Sequence, residues 1–216
     1  MTTLVEEALK SPRLPVYLEQ LQRALTEEHL RRERFYDEIT EQMKAEFING
    51  QVVMHSPAKL QHTNVSKFLL KLLDTYVERH QLGWVGGEKV LVCLTRNDYE
   101  PDVVFYPAAT AAGFSRRQMK FPAPDFVAEV LSESTEATDR TVKFEDYAAH
   151  GIREYWIVDP ETERVEQYEL AGEQYRLRVK ADSGELRSLA VPGFVVPVRA
   201  VFDPAANLAA LRQLTA

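Results

Sequence analysis

Cysteine is almost missing from this chain: Cys93 is the single one among 216 residues. One thiol closes no intramolecular disulfide and builds no cysteine-based zinc cluster, so a reducing compartment is expected. Long apolar runs are missing too, and no stretch approaches the roughly 20 residues that a membrane-spanning helix needs. The first residues, Met1-Thr2-Thr3-Leu4-Val5-Glu6-Glu7, place acids where a secretory leader places bases and an apolar core. These readings point to a soluble cytoplasmic protein with no membrane partner. Basic residues are in deficit, 26 Lys+Arg against 33 Asp+Glu for a net charge of −7. That excludes a general coat for a polyanion, but not a local positive groove.

Several motifs are absent as well. There is no Gly-x-Gly-x-x-Gly, no Walker-type Gly-Lys-Ser/Thr and no Gly-x-Ser-x-Gly elbow, which removes the usual signatures of nucleotide cradling and α/β-hydrolase chemistry. His55 and His62 lie seven apart across a proline-bearing turn, which is not the spacing of a helical zinc pair.

What is present suits one mixed α/β domain: 45% of residues are hydrophobic and 27% charged, enough for an ordinary core. Residues 27–41 carry mixed charges behind Leu18, Leu21 and Leu25 at helical spacing, a helical region with a solvated face and a packing stripe or subunit contact. Asn49-Gly50 between two strand-like runs predicts a hairpin. Over residues 60–80, Val65, Phe68, Leu69, Leu72, Leu73 and Tyr76 recur as one helix stripe that would pack on a sheet. Strands are expected at 84–88, 90–94, 99–106, 126–131 and 153–158, with a loop over 107–122. A helix is expected over 138–150, stopped by Gly151. From 164 to 202 the pattern alternates strand and turn.

The chemically informative residues are acids in apolar strands. Glu129 interrupts Phe126-Val127-Ala128-Glu129-Val130-Leu131, and a lone buried carboxylate must be protonated, paired or bound to a cation. Asp102 opens Val103-Val104-Phe105 after Pro101. Two carboxylates from neighbouring strands are ligands that a hard divalent ion takes alongside water and phosphate. Lys143, with Asp139 and Tyr147 at i−4 and i+4, reads either as a surface helix pair or as an ammonium that stabilises the charge of a pentacovalent phosphorane. Glu46, before the hairpin, taken alone is an outward-facing strand residue. Tyr155 and Trp156 read as core.

These residues, in order, resemble the Uma-two family of the restriction-endonuclease-like PD-(D/E)XK superfamily. The similarity covers about residues 45–202. It is carried by Glu46-Phe47-Ile48-Asn49-Gly50, His62, Pro101-Asp102, Pro124-Asp125 through Glu129 to Ser132, Ser134-Thr135, Asp139, Lys143, Tyr147, Gly151 and Glu154-Tyr155-Trp156. The resemblance implies an α/β fold, a restriction-endonuclease-like mixed β-sheet flanked by helices; it says nothing about the extra N-terminal helical region (1–44), which the residue pattern sets before a nuclease domain (45–216) ending in C-terminal β-hairpins. It implies Mg²⁺ or Mn²⁺-dependent hydrolysis of nucleic-acid phosphodiesters, DNA in the leading reading; a homodimer or higher homo-oligomer is a separate expectation. Asp102 and Glu129 become metal ligands, Lys143 the catalytic lysine and Glu46 a further acid. His62 and Tyr147 become supporting residues. The superfamily pattern places its lysine two residues after the second acid, where this chain has Leu131, and the following helix supplies Lys143 instead. Arg116 and Arg117 form, with Lys120, one compact basic group and candidate substrate contacts. The competing reading is a catalytically silent nuclease-like module for binding or oligomerisation, favoured by the net charge and the shortage of phosphate-binding clusters.

Overall fold

The computed structural model describes residues 4–215, so the leader reading on Met1, Thr2 and Thr3 lies outside the described residues. Helices α1 (Leu4–Leu9) and α2 (Leu14–Glu38) precede the hairpin β1 (Ala45–Ile48) and β2 (Gln51–Met54). Next come α3 (Leu60–His80), β3 (Gly83–Gly87), β4 (Leu91–Cys93), β5 (Asp98–Tyr99), β6 (Val103–Pro107), α4 (Ala108–Ala111), β7 (Lys120–Phe121) and β8 (Phe126–Val130). Short helices α5 (Glu136–Asp139) and α6 (Val142–Ala149) lead to β9 (Glu154–Asp159), β10 (Arg164–Ala171), β11 (Gln174–Ala181), β12 (Glu185–Arg187) and β13 (Val195–Pro197). A 3₁₀ turn (Val198–Val201) and α7 (Pro204–Thr215) close the chain.

The central sheet runs β11-β10-β9-β8-β6-β3, with β8 and β9 parallel and the other neighbours antiparallel. Residues along β8 alternate between its faces. Phe126, Ala128 and Val130 join the core under α3 and α7, whereas Val127 faces the core that contains Tyr147, Tyr155 and Ile157. The α3 stripe explains its position: Leu69, Leu72, Leu73 and Val77 are fully buried. At about 1.5–3 kcal/mol per large apolar side chain this face contributes roughly 6–12 kcal/mol before conformational entropy is charged against it. Trp156 and Tyr155 are fully buried on opposite faces of β9.

A second sheet, β2-β1-β5-β4-β7, carries the Asn49-Gly50 hairpin. Both turn residues have positive φ, 49° and 80°, the left-handed pair that a two-residue hairpin requires. The C-terminal half of α2 docks here. Phe35 packs on Phe47 with ring centroids 5.8 Å apart, and the Arg32 guanidinium forks onto Asp98 at 2.6 and 2.7 Å.

Three sequence expectations are corrected. The loop over 107–122 contains α4 and β7. The helix over 138–150 is broken: Thr141, at φ −127° and ψ −83°, separates α5 from α6. The run of strand and turn towards 202 ends in the 3₁₀ turn, and α7, whose alanine-rich sequence favours helix, follows it.

Candidate active site

Strand register brings the two strand acids together. Val103 pairs with Ala128 and Val104 with Val127 in the antiparallel β6–β8 ladder, and continuing that register one step before β6 sets Asp102 across from Glu129, with both acids lining one cleft. Directly opposed residues project from the same sheet face. Asp102 is anchored by three contacts: Oδ2 accepts the Val130 N–H at 2.8 Å, while Oδ1 lies 3.2 Å from His62 Nε2 and 3.6 Å from Lys44 Nζ. Glu129 Oε1 accepts the Tyr147 hydroxyl at 2.8 Å and the Lys143 ammonium at 3.0 Å.

Lys143 is buried, as are its carboxylate partners. Its Nζ lies 3.0 Å from Glu46, 3.0 Å from Glu129 and 3.2 Å from Asp139. The reading of Asp139 and Lys143 as a surface helix pair is therefore corrected: they sit on separate short helices and meet in the interior. Glu46 is not outward-facing either. Its Oε1 accepts the Glu100 N–H at 2.9 Å, and its Oε2 lies 3.2 Å from His55 Nε2.

The electrostatics divide the acids. Burial opposes ionisation of Glu46, yet Lys143 and His55 outweigh it and hold this carboxyl down at about 2. Glu129 shares the same ammonium at the same distance but gains neither the histidine nor the backbone donor. Burial, reinforced by Asp139, Asp102 and Glu46, pushes its carboxyl up to about 8 against the pull of Lys143. Asp139 is raised by burial, and Glu100 by burial to about 7. For Asp102, burial is outweighed by the His62 hydrogen bond and charge, so its carboxyl is lowered. Burial disfavours the Lys143 cation, but three surrounding carboxylates hold it protonated well above the ordinary lysine value. The same bond raises His62, with burial opposing.

Asp102, Glu129, Lys143 and His62 line one cleft of about 310 Å³, together with Lys44, His55 and Glu100. These last three were missed by sequence reasoning. Lys44 and Glu100 flank the recognised Glu46 and Asp102 by two residues, which is the signal that was available. A second cleft, of about 310 Å³, reaches Glu46 and Lys143 from the side of β2. Tyr147 sits behind Glu129, fully buried. Arg116 and Arg117 are exposed on the stretch between α4 and β7 and line neither cleft.

The donor set suits a hard divalent cation. Five carboxylates, Glu46, Glu100, Asp102, Glu129 and Asp139, face only two lysines, and the buried Asp139 Oδ1 and His55 Nε2 make no hydrogen bond despite ion-pair contacts at 3.2 Å. Among the described residues, no three His, Cys, Asp or Glu side chains converge as a cage. Mg²⁺ needs none, because one or two carboxylates with water and phosphate complete its shell. Asp102 and Glu129, opposed across the ladder, are the pair that fits.

Fold and cleft together define a restriction-endonuclease-like α/β protein. The chain belongs to the Uma2 family, whose model, described as "Putative restriction endonuclease", matches residues 26–199. It is 29% identical over 149 residues to "Uncharacterized protein sll1609" of Synechocystis sp. (strain ATCC 27184 / PCC 6803 / Kazusa), covering 68% of this chain and 81% of that one. A solved structure from Anabaena variabilis ATCC 29413, described as "a putative nuclease belonging to DUF820", shares the fold. Its TM-score is 0.69 at 14% identity, covering 81% of this chain and 97% of that one.

Proposed function

We propose that this chain is a metal-dependent nuclease that hydrolyses phosphodiester bonds, with DNA as the substrate. The observation that carries this reading is Asp102 standing opposite Glu129 on one sheet face, with Lys143 3.0 Å from the second acid. Family membership, and the description of the Anabaena structure as "a putative nuclease", support the reaction class. Asp102 and Glu129 would hold Mg²⁺ or Mn²⁺, which supplies Lewis-acid stabilisation of phosphoryl oxygens and acidifies water.

The chain's own residues do the positioning. The Val130 N–H and His62 fix the Asp102 carboxylate, and the Tyr147 hydroxyl orients Glu129. Lys143 acts as a fixed cation rather than a base, because three carboxylates keep its proton in place. In this position it balances negative charge that develops at the phosphorus centre. Glu46 and Asp139 hold that ammonium. Lys44, partly exposed and 3.6 Å from Asp102, would contact a non-bridging phosphate oxygen. Arg116 and Arg117 serve only longer substrates that extend past the cleft. In this reading residues 1–44, whose described part carries α1 and α2, form an extension of a catalytic unit at 45–216.

The silent-module reading has one observation in its favour: Lys143 is wholly engaged by protein carboxylates. Folded protein incubated with Mg²⁺ or Mn²⁺ and single-stranded, double-stranded or supercoiled DNA separates the two. Cleavage that disappears with chelator and in Asp102→Ala supports the nuclease. Intact substrates under every condition overturn it in favour of the module.

A further inference from the structure

One face of α2 continues along nearly its whole length. At 3.6 residues per turn, Leu14, Leu18, Leu21, Leu25, Glu28, Arg32 and Phe35 fall on the same side. The C-terminal members are occupied by the domain: Glu28 pairs with Arg96 at 2.7 Å, Arg32 with Asp98, and Phe35 with Phe47. The N-terminal members are not. Leu18, Leu21 and Leu25 are 52%, 63% and 57% exposed, a contiguous apolar row. Residues 14–27 overhang the domain by about 21 Å at 1.5 Å per residue. The family match begins at residue 26, so the exposed leucines lie in a segment outside it.

We infer that this overhang is where a second copy of the chain pairs, α2 against α2 and antiparallel. The leucine spacing of four, three and four is the same in both chain directions. A two-fold axis midway between Leu18 and Leu21 therefore sets Leu14 beside Leu25 of the partner subunit and Leu18 beside Leu21 of the partner subunit. Such self-complementarity is what an isologous contact demands. The flanks agree. Around this axis Gln22 flanks the row beside Tyr17 of the opposite helix, while Glu19 and Arg23 lie on the far side of α2, so no like charges meet. Glu19 and Arg23 already pair within their own helix at 3.2 Å. The row is also continuous with the surface by which α2 grips its own domain, so the partner helix extends an existing interface. The antiparallel direction carries the two catalytic units to opposite ends, whereas a parallel pair would drive both into the same space. Leu4, Val5 and Leu9 of α1 are exposed at the same end and add apolar area.

This inference stands whether or not the cleft is catalytic. Sedimentation of the full chain from about 1 to about 200 µM tests it, with circular dichroism confirming the fold. The wild type is expected to show a monomer–dimer equilibrium, and Leu21→Glu, at an exposed position, to weaken it about 100-fold or more. Direction is read by oxidation in a Cys93→Ser background. A Leu14→Cys chain mixed with a Leu25→Cys chain is expected to cross-link, and each chain alone is not. A folded wild type that stays monomeric, or a dimer untouched by Leu21→Glu, overturns the pairing. Cross-linking of the Leu14→Cys chain with itself overturns the antiparallel arrangement.

Discussion

Replacing Lys143 by methionine keeps the apolar stem and removes the charge that three buried carboxylates share. Breaking a buried ion pair by deleting one partner costs about 3–5 kcal/mol, because the remaining charge is left uncompensated. The Glu46 shift gives a similar scale. Its carboxyl stands at about 2 rather than 4.5, and much of that depression comes from Lys143, so about 3 kcal/mol of stabilisation is at stake at 1.4 kcal/mol per unit. In the variant Glu46 loses the cation that holds its carboxyl down, and Glu129 and Asp139, already raised by burial, lose the ammonium that opposes the rise, so all three stand above their unfolded values. Acids raised in this way stabilise the fold below the unfolded value and lose that contribution as pH rises through the folded value. The deficit of Lys143→Met is therefore expected to reach about 3–5 kcal/mol near pH 8, or roughly 6–20 °C in Tm, and to shrink near pH 5. Urea and thermal unfolding at both pH values measure it. Equal deficits at the two, or less than about 1 kcal/mol near pH 8, would refute the charge-sharing argument.

His62→Ala leaves Asp102 with one orienting contact fewer, and Mn²⁺ affinity is expected to fall about 10–100-fold by calorimetric titration. Because the Glu129 carboxyl is pushed up to about 8, protons compete with the cation below that pH. Apparent Mn²⁺ affinity should fall about tenfold per unit as pH drops from 8 to 6, and a flat profile would contradict the assignment of Glu129 as a ligand. Away from the cleft, Glu154 accepts five hydrogen bonds, from Trp156 Nε1, Gln167 Nε2, the Ser188 hydroxyl and the Leu189 and Ala190 N–H groups. Glu154→Ala strands these donors and should destabilise the fold by about 3–5 kcal/mol in urea titration, with no change in Mn²⁺ affinity.

The elements that were legible in the sequence are those whose periodicity reports one strong packing face. The α3 stripe, the Asn49-Gly50 turn and the apolar run of β8 each specify their element locally. Asp102 and Glu129 were legible because a carboxylate in an apolar strand is chemically costly. The burial of Glu46 was not: β1 is buried through Ala45, Glu46 and Phe47, so alternation gave the wrong face. That burial depends on Lys143, roughly a hundred residues away. His55 was weighed only as half of a helical zinc pair, and Lys44 carries no signature beyond standing two residues before Glu46. The break at Thr141 could not be anticipated either, since the sequence there has neither glycine nor proline. It nevertheless leaves Asp139 and Lys143 within 3.2 Å. α7 was missed because a short alanine-rich segment after strand-like residues shows weak amphipathicity.

The proposed nuclease chemistry requires Asp102 and Glu129 to hold the cation together. Anomalous diffraction from crystals grown with Mn²⁺ and an oligonucleotide tests it most directly. A manganese peak contacting both carboxylates, absent in Glu129→Ala crystals, is expected. A peak held by other residues, or none at this pair while the same preparation cleaves DNA, would contradict it.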